Sequence, residues 1–411
     1  MTNQAIQNVE QSFHSFVGLM GEKYRPWLYE SPLFMSRDRI QFLQTSQEYM
    51  FRLMKYIADN YAEIEDLLPH DPAVKEFLKG LQGVPFQEGT FRTDFVINEQ
   101  EEIRLIEVTC RFPLNSYFRS LAVSTLNGSR AYEEKYGIKT ANYINPFLKK
   151  FLTWAGDAKR IVIIQGEDCR DNESFYLPSI LEGSGVELDV CSFDDWLLHG
   201  ATWAKDAAII AELAFEEWLR VPIPLARDML RQPFLNDPRL VFTVHDKGFF
   251  ALVNRKEITD KVFRAEETAF IQQAFAETYL SDQHPEMWDD AAEHPEHWIL
   301  KPRRLGRSVN IIAGSLSSAQ EWQDALASAR ENHDMVLQKW HLSKKITGQV
   351  RGVAYEDYFA GTLLYWGRDF FGPGMYRASC YPISNVKDNR MVTSVIDLES
   401  EPAKYPDFQW I

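Results

Sequence analysis

The sequence lacks several features that would place it in a large protein class at once. Its 411 residues include only 4 cysteines, at positions 110, 169, 191 and 380, and none of them form a Cys-x-x-Cys spacing. This usage favours reduced thiols over a disulfide framework or a zinc site. The chain has no run of about eighteen apolar residues, and it does not open on a charged start followed by an apolar core. We therefore expect neither a membrane span nor secretion, and predict a cytoplasmic protein.

Several common catalytic signatures are also missing. The chain has no Gly-x-Gly-x-x-Gly, which leaves a dinucleotide-binding interpretation without support. It has no Gly-x-Ser-x-Gly elbow and no convincing Cys/His pair for covalent catalysis. Its 9 histidines show no His-x-x-x-His spacing. We assign no histidine a role, and we expect chemistry that needs no covalent nucleophile.

Net positive charge is absent as well. The formal net charge is −15, so the averaged field opposes approach to nucleic acid or to an anionic membrane surface. Against this acidic background Arg303, Arg304 and Arg307 form a local basic cluster. Such a cluster is typical of a site for a small polyanion such as a nucleoside triphosphate, although a solvated loop is the alternative.

Length and composition indicate two or three compact units with ample core material. The apolar periodicity predicts helices early in the chain, including Asp38 to Asn60, and the pattern then changes to short β runs. The predicted fold class is mixed α/β. We divide the chain into a helical flank (1–88), a hairpin region (89–150), an α/β lobe that supports substrate (151–240) and a nucleotide-binding region (241–411).

Individual elements follow from the same patterns. Residues 91–97 and 103–108 are two β runs joined by a polar turn, which predicts a hairpin. Strand, helix and strand patterns between about 155 and 240 predict a parallel α/β unit. Leu240 to Val244 is predicted as a further strand, followed by a helix from Lys256 through about Leu280.

Three strand ends carry the candidate chemistry. The apolar run Trp298 to Pro302 delivers Lys301 into a loop containing Gly306 and Ser308, whose backbone amides can add donors for phosphate. A second apolar strand ends on Gln338 and Lys339, which can form a hinge that contacts an adenine edge through backbone groups. Far upstream, a hairpin strand ends on Glu107. Together these segments suggest a site that involves a nucleotide, a metal ion and an acidic side chain.

The order of these segments resembles the circularly permuted branch of the ATP-grasp ligases, which includes glutathione synthetase and glutathionylspermidine synthetase. The matching segments, in chain order over about 90–411, are Arg92-Thr93-Asp94, Glu107-Val108-Thr109, Lys301-Pro302, Leu305-Gly306-Arg307, Asn310 and Gln338-Lys339. The resemblance implies an ATP-grasp architecture with permuted order.

The resemblance also implies roles for single residues. Arg92 and Arg377 would face the reacting carboxylate or acyl phosphate, and Asp94, Glu107 and Asn310 would be the metal-binding residues. The implied nucleotide-binding residues are Lys256, which resembles the lysine of an Asn-Lys segment, together with Lys301, Arg304, Gly306, Ser308, Gln338 and Lys339.

Two positions depart from the pattern. Residue 109 is threonine where the family has asparagine, and the loop from Leu305 to Val309 has no glutamate. Mg²⁺ keeps waters readily, so two carboxylates and phosphate oxygens can suffice, and Asn115 is an alternative amide. Other interpretations stay open: Glu107 as a salt-bridged core acid, Asp94 as a hairpin acid paired to Arg92, and Arg377 as an ordinary strand arginine.

The resemblance implies an ATP- and Mg²⁺-dependent ligase that forms an amide through an acyl phosphate. Its substrates would be an amino acid or peptide-like carboxylate and an amine, with a thiol or a carrier protein as another acceptor. A phosphotransferase that stops after phosphoryl transfer is an alternative within enzymes. A catalytically inactive nucleotide-binding protein is the alternative from another class.

Overall fold

We analysed a computed structural model, which describes residues 3–126, 143–156, 158, 160–167, 172–306, 308–384, 390–396 and 408–411. Arg307 and Cys169, both considered above, lie outside the described residues. The helices are, in chain order, α1 (Asn3–Tyr24), α2 (Arg37–Asp59), α3 (Tyr61–Ile64), α4 (Pro72–Gly80), α5 (Tyr117–Leu126), α6 (Ile144–Ala155), α7 (Leu177–Ile180), α8 (Phe193–Trp203), α9 (Phe215–Arg220), α10 (Ile223–Met229), α11 (Arg239–Thr243), α12 (Lys256–Val262), α13 (Ala265–Ala274), α14 (Pro285–Glu293) and α15 (Ala319–Asn332).

The strands alternate with these helices and confirm the predicted mixed α/β class. In chain order they are β1 (Leu33–Met35), β2 (Thr90–Ile97), β3 (Ile103–Thr109), β4 (Arg160–Gln165), β5 (Glu187–Ser192), β6 (Ala207–Glu212), β7 (Phe234–Leu235), β8 (Thr278–Leu280), β9 (Trp298–Pro302), β10 (Ile312–Ala313), β11 (Met335–Lys339), β12 (Lys345–Val350), β13 (Val353–Trp366), β14 (Asp369–Pro373), β15 (Tyr376–Ser379), β16 (Arg390–Val392) and β17 (Ser394–Ile396).

The predicted hairpin is confirmed and belongs to the largest sheet. Strands β2 and β3 pair antiparallel, and β2 also pairs with the long strand β13 from the end of the chain. The sheet order is β16-β15-β13-β2-β3, with β12 and β14 also pairing to β13. The hairpin and the C-terminal strands therefore share one platform, although more than 240 residues separate them in the sequence.

A second sheet carries the lysine strand. Its order is β10-β9-β11-β8, and β11 pairs antiparallel with both β9 and β8. Helix α15 connects β10 to β11 and begins at a capping box, in which the side chains of Ser318 and Glu321 bind each other's backbone N–H. This arrangement sets Lys301 of β9 opposite Val336 of β11.

The predicted parallel unit is also confirmed. Strands β5, β4, β6 and β7 form a parallel sheet in that order. Residues 207–212 of β6 are buried throughout, as expected for a central parallel strand covered on both faces. The predicted helix over Ser174 to Glu182 is shorter than expected: a 3₁₀ turn at Glu173–Tyr176 precedes α7.

Two predicted elements were wrong. Leu240 to Val244, predicted as a strand, lies mainly in α11, because short apolar runs do not distinguish a buried helix from a strand. Asp237 starts this helix by accepting a hydrogen bond from the backbone N–H of Arg239 at 3.0 Å. The single helix predicted up to Leu280 is instead α12, α13 and strand β8.

The helix from Lys256 divides because α13 has its own start signal. The side chain of Glu267 accepts a hydrogen bond from the backbone N–H of Arg264 at 2.9 Å, which caps the second helix. Strand β8 then pairs with β11, a long-range contact that the local sequence does not show. None of the helices in the described part of the chain combines the length and hydrophobicity needed to cross a bilayer.

Candidate active site

The two antiparallel sheets face a cavity of about 540 Å³ that gathers most of the predicted site residues. Its lining comes from the hairpin, from the loop after β9, from the end of β11 and from β13 to the segment after β15. The predicted residues that line it are Arg92, Asp94, Glu107, Lys301, Arg304, Gly306, Ser308, Gln338, Lys339 and Arg377. Residues from distant parts of the sequence therefore meet at one site.

Two predicted residues do not join them. Lys256 is exposed at the first position of α12 and is not among the described lining residues. Asn310 is exposed on the loop after β9, with a positive φ of 55°, and it does not line the cavity either. The assignments of Lys256 to the nucleotide and of Asn310 to a metal are therefore not supported by their positions.

The lysine that reaches the site from this part of the chain is Lys247, nine residues before Lys256. Its side chain is 3% exposed, and its Nζ lies 3.2 Å from Oε1 of Glu107 and donates to the carbonyl of Leu305 at 2.7 Å. Lys247 thus connects the hairpin carboxylate to the loop after β9. The sequence feature that could have indicated Lys247 is the short polar segment from His245 to Gly248, which lies between two apolar runs.

Lys301 lies buried at the centre of the cavity wall. Its Nζ donates to Oε1 of Gln338 at 2.6 Å and to the carbonyl of Ile106 at 3.4 Å. Burial lowers the pKa of Lys301 to about 8, although Glu107 opposes this shift. The ammonium is therefore held in a fixed place by neutral acceptors, and a bound phosphate would favour its charged form.

Gln338 acts on Lys301 and is shielded from solvent. Its side chain is 1% exposed, and its Nε2 donates to Oγ1 of Thr278 at 2.9 Å while its Oε1 accepts from Lys301. The amide is therefore committed to orienting the lysine. Gln338 was predicted to bind the nucleotide, and its side-chain contacts instead favour a role in positioning Lys301.

The apolar part of the cavity combines residues from β9, from the segments just before β10 and after β11, and from the segment after β15. Ile299, Ile311, Trp340, Tyr381 and Ile383 belong to one hydrophobic cluster, and all of them line the cavity. An apolar slot of this kind suits a planar ring such as a nucleobase.

The predicted backbone hinge needs one correction. The N–H groups of Lys339 and Trp340 donate to the carbonyls of Glu277 and His297, both at 2.8 Å, so these two donors are already used. The Nζ of Lys339 lies 4.3 Å from the centre of the Trp298 ring. Lys339 therefore contributes its charge to the rim of the slot, held there by a cation–π contact.

The two hairpin carboxylates face each other across β2 and β3. Asp94 is the register partner of Glu107, and a β-bulge follows immediately. Burial raises the pKa of Asp94 more than Arg92 lowers it. Burial would also raise the pKa of Glu107, but Lys247 and Lys301 outweigh it and lower that pKa. Both carboxylates line the cavity.

This pair is a chemically suitable donor set for Mg²⁺. Carboxylate oxygens are preferred ligands, and Mg²⁺ retains waters and takes substrate phosphates as further ligands. Among the described residues, no group of three or more His, Cys, Asp or Glu side chains is arranged to hold a metal without such help. Asp94 and Glu107 therefore fit a metal that arrives with a nucleotide.

Arginines line the wall beyond the carboxylates. Arg92 binds Asp94 through two contacts, Nε to Oδ1 at 3.0 Å and Nη2 to Oδ2 at 3.3 Å, and its Nη1 donates to Ser116 Oγ at 3.2 Å. Asp94 is thus both the paired hairpin acid and a cavity residue. Burial lowers the pKa of Arg377 to about 10, and Arg92 adds to this effect.

Arg303 and Arg304, the two described residues of the basic cluster after β9, have different positions relative to the cavity. Arg303 is buried, and its Nη2 lies 2.9 Å from Oδ2 of Asp246. It is not among the described residues that line the cavity, so its position does not support the predicted polyanion site. Arg304 also contacts Asp246, at 3.4 Å, and its guanidinium lies over the Phe215 ring at 4.5 Å. Arg304 nevertheless lines the cavity.

Comparison with known proteins gives likenesses to solved structures and a partial family match. A family profile described as the AnkG N-terminal domain matches residues 52–243, less than half of the chain. No curated protein matches. Among solved structures, a glutathione synthetase-like effector from Globodera pallida in its apo form matches with a TM-score of 0.55 and 12% identity, covering 90% of each chain. At this identity the likeness concerns the fold alone, and the chain has a mixed α/β fold similar to that of a glutathione synthetase-like protein.

Proposed function

We propose that this chain is an ATP-dependent ligase of the circularly permuted ATP-grasp type that joins a carboxylate to an amine through an acyl phosphate. The observation that carries the proposal is the single cavity in which Lys301, Asp94, Glu107, Arg92 and Arg377 meet beside an apolar slot. Phosphoryl transfer depends mainly on positioned charge, and this cavity supplies such charge from rigid strands.

The nucleotide would place its base in the slot around Trp340 and its phosphates toward Lys301. The buried ammonium would stabilise charge on the transferring phosphoryl group, and Lys247 would hold the loop after β9 against the hairpin. Mg²⁺, bound by Asp94 and Glu107 together with phosphate oxygens, would neutralise charge on the nucleotide.

The carboxylate substrate would lie at the arginine wall. One of its oxygens attacks the γ-phosphorus, the bond to the bridging oxygen breaks, and ADP leaves. The amine then attacks the acyl carbon and loses a proton while phosphate departs. Arg92 and Arg377 would orient the carboxylate and stabilise the acyl phosphate, because a guanidinium matches the geometry of both groups.

A screen with hydroxylamine as the amine tests this function. The protein is incubated with ATP, Mg²⁺ and single amino acids or short peptides, and both hydroxamate and ADP are measured. A ligase forms the two products in equal amounts and only when a carboxylate is present. A phosphotransferase would instead give ADP with a stable phosphorylated product. Binding of ATP without any turnover would indicate an inactive nucleotide-binding protein.

A further inference from the structure

Two histidines lie close together at the turn that leads into the lysine strand β9. His294 follows α14, and His297 ends the 3₁₀ turn Pro295–His297 directly before Trp298. Their ring centres lie 6.0 Å apart, and the ring planes are tilted by 36°. Both residues are exposed, and neither is among the described residues that line the cavity. This His-x-x-His pair therefore lies outside the candidate active site.

The backbone of the turn fixes the positions from which the two side chains extend. The N–H of His297 donates to the carbonyl of His294 at 3.1 Å, and the carbonyl of His297 accepts from the N–H of Trp340 at 2.8 Å. Gly314 packs so closely on the turn that a Cβ there would lie 2.1 Å from the carbonyl oxygen of Pro295. The backbone that carries the pair is therefore held in place by contacts on both sides.

The separation of the rings suits a shared metal ion. A zinc–nitrogen bond is about 2.0 to 2.1 Å long and the centre of an imidazole lies about 1 Å behind its nitrogen, so two rings on one ion have centres at most about 6 Å apart. His294 and His297 meet this limit without movement of the backbone, and rotation of the exposed side chains can bring them closer. Imidazole nitrogen suits Zn²⁺, Ni²⁺ and Cu²⁺, whereas Mg²⁺ prefers oxygen.

The segment around the pair is acidic. Residues 282–297 contain no lysine or arginine, and they include the acidic residues Asp282, Glu286, Asp289, Asp290, Glu293 and Glu296. Two of these have partners, because Asp289 pairs with Arg330 and Asp290 accepts from the indole N–H of Trp298. Oε1 of Glu296 lies 3.9 Å from Nε2 of His297. Negative charge of this kind raises the local concentration of a cation.

We infer that His294 and His297 bind one transition-metal ion of the Zn²⁺, Ni²⁺ and Cu²⁺ class. The described residues contain no group of three or more His, Cys, Asp or Glu side chains that could hold a metal, so water would complete the coordination of this ion. Such a site is open and exchangeable, unlike a structural zinc site with four protein ligands. It is separate from the magnesium site proposed at Asp94 and Glu107, and it does not depend on the proposed ligase activity.

Calorimetry with Ni²⁺ on the full chain tests the inference. We expect saturable binding that is tighter for Cu²⁺ and weaker for Mn²⁺, which is the usual order of affinity of nitrogen ligands for these ions. His294→Gln and His297→Gln should each weaken Ni²⁺ binding by at least about tenfold, since even the loss of an outer-shell partner costs that much. His14→Gln is the matched control, because His14 is an exposed histidine on α1.

Electron paramagnetic resonance of bound Cu²⁺ identifies the ligands directly. We expect hyperfine structure from two imidazole nitrogens in the wild type and in His14→Gln, and from one in each of the other two variants. Melting temperatures measured without metal check that all three variants are folded. Nickel binding of equal strength in the wild type and in both site variants would overturn the inference, and so would the absence of saturable binding to the wild type.

Discussion

At the residue scale, the candidate site contains a buried lysine, Lys301, whose charged form is destabilised by its burial. Lys301 is 5% exposed and its ammonium is oriented by Gln338 and the carbonyl of Ile106. Burial depresses its pKa, so part of the binding energy of a phosphate would restore its full charge. The position and the titration of this single group therefore provide direct tests.

Lys301→Met keeps the aliphatic stem and removes the charge. We expect turnover to fall by about 10² to 10³, as for the loss of one fixed donor to a developing charge. Lys256→Met is the matched control, since Lys256 is exposed and lies away from the cavity. Steady-state ADP release by both variants measures the difference, and a similar loss in the two would refute the placement of the nucleotide.

Binding of ATP should be accompanied by proton uptake near pH 8. The pKa of Lys301 is about 8 in the free protein, so the group is only partly protonated at that pH, and a bound phosphate raises the pKa. ATP affinity should accordingly weaken as the pH rises through 8. Calorimetry in buffers of different ionisation enthalpy measures the uptake, and Lys301→Arg should abolish it. Equal uptake in wild type and in the arginine variant would exclude Lys301 as the source.

At the element scale, the loop after β9 is held by a buried acid, Asp246, which caps the start of a 3₁₀ helix at Lys247–Asn254. Asp246 is fully buried, binds Arg303 and Arg304, and accepts a hydrogen bond from the N–H of Gly248 at 2.8 Å. Burial would raise its pKa, but Arg303, Arg304 and His70 together outweigh this effect and lower it. The contribution of Asp246 to stability is therefore present at neutral pH and lost as the pH falls.

Asp246→Asn should destabilise the protein by about 3 to 5 kcal/mol, because it leaves Arg303 buried without its counter-charge. The control is Asp228→Asn, whose partner Arg231 is exposed and which should cost less than about 1 kcal/mol. Urea unfolding at neutral pH measures both. A loss below about 1 kcal/mol for Asp246→Asn would show that the loop does not depend on this pair.

Helices and strands were predicted correctly where the local sequence pattern determines them. The prediction failed where contacts with distant residues determine the structure. The hairpin and the lysine strand were identifiable from alternation and flanking polar residues, and both are present. The strand predicted for Leu240 to Val244 was wrong, because a buried apolar run has no periodicity that distinguishes a helix from a strand. Lys247 was not predicted as a site residue, because its place at the site depends on its contact with Glu107, which lies 140 residues earlier in the chain.

At the scale of the whole molecule, the order of the motifs along the chain predicted which residues would meet. Arg92, Asp94, Glu107 and Arg377 come together because the hairpin and β15 both pair with the long strand β13. Lys301 reaches the same cavity from β9 of the second sheet. The role of Gln338 and the burial of Arg303 could not be predicted, since both depend on side-chain contacts across strands or loops. Sequence patterns therefore selected residues that line one cavity, but they did not assign each side chain its partner.

We propose that this cavity activates a carboxylate by phosphorylation. The most direct measurement uses a substrate found in the hydroxylamine screen with ¹⁸O in its carboxylate, followed by mass analysis of the released phosphate. An acyl phosphate predicts that each turnover transfers one labelled oxygen to phosphate, in amounts equal to the ADP formed. Phosphate released without label in the presence of that substrate would show that no acyl phosphate is formed.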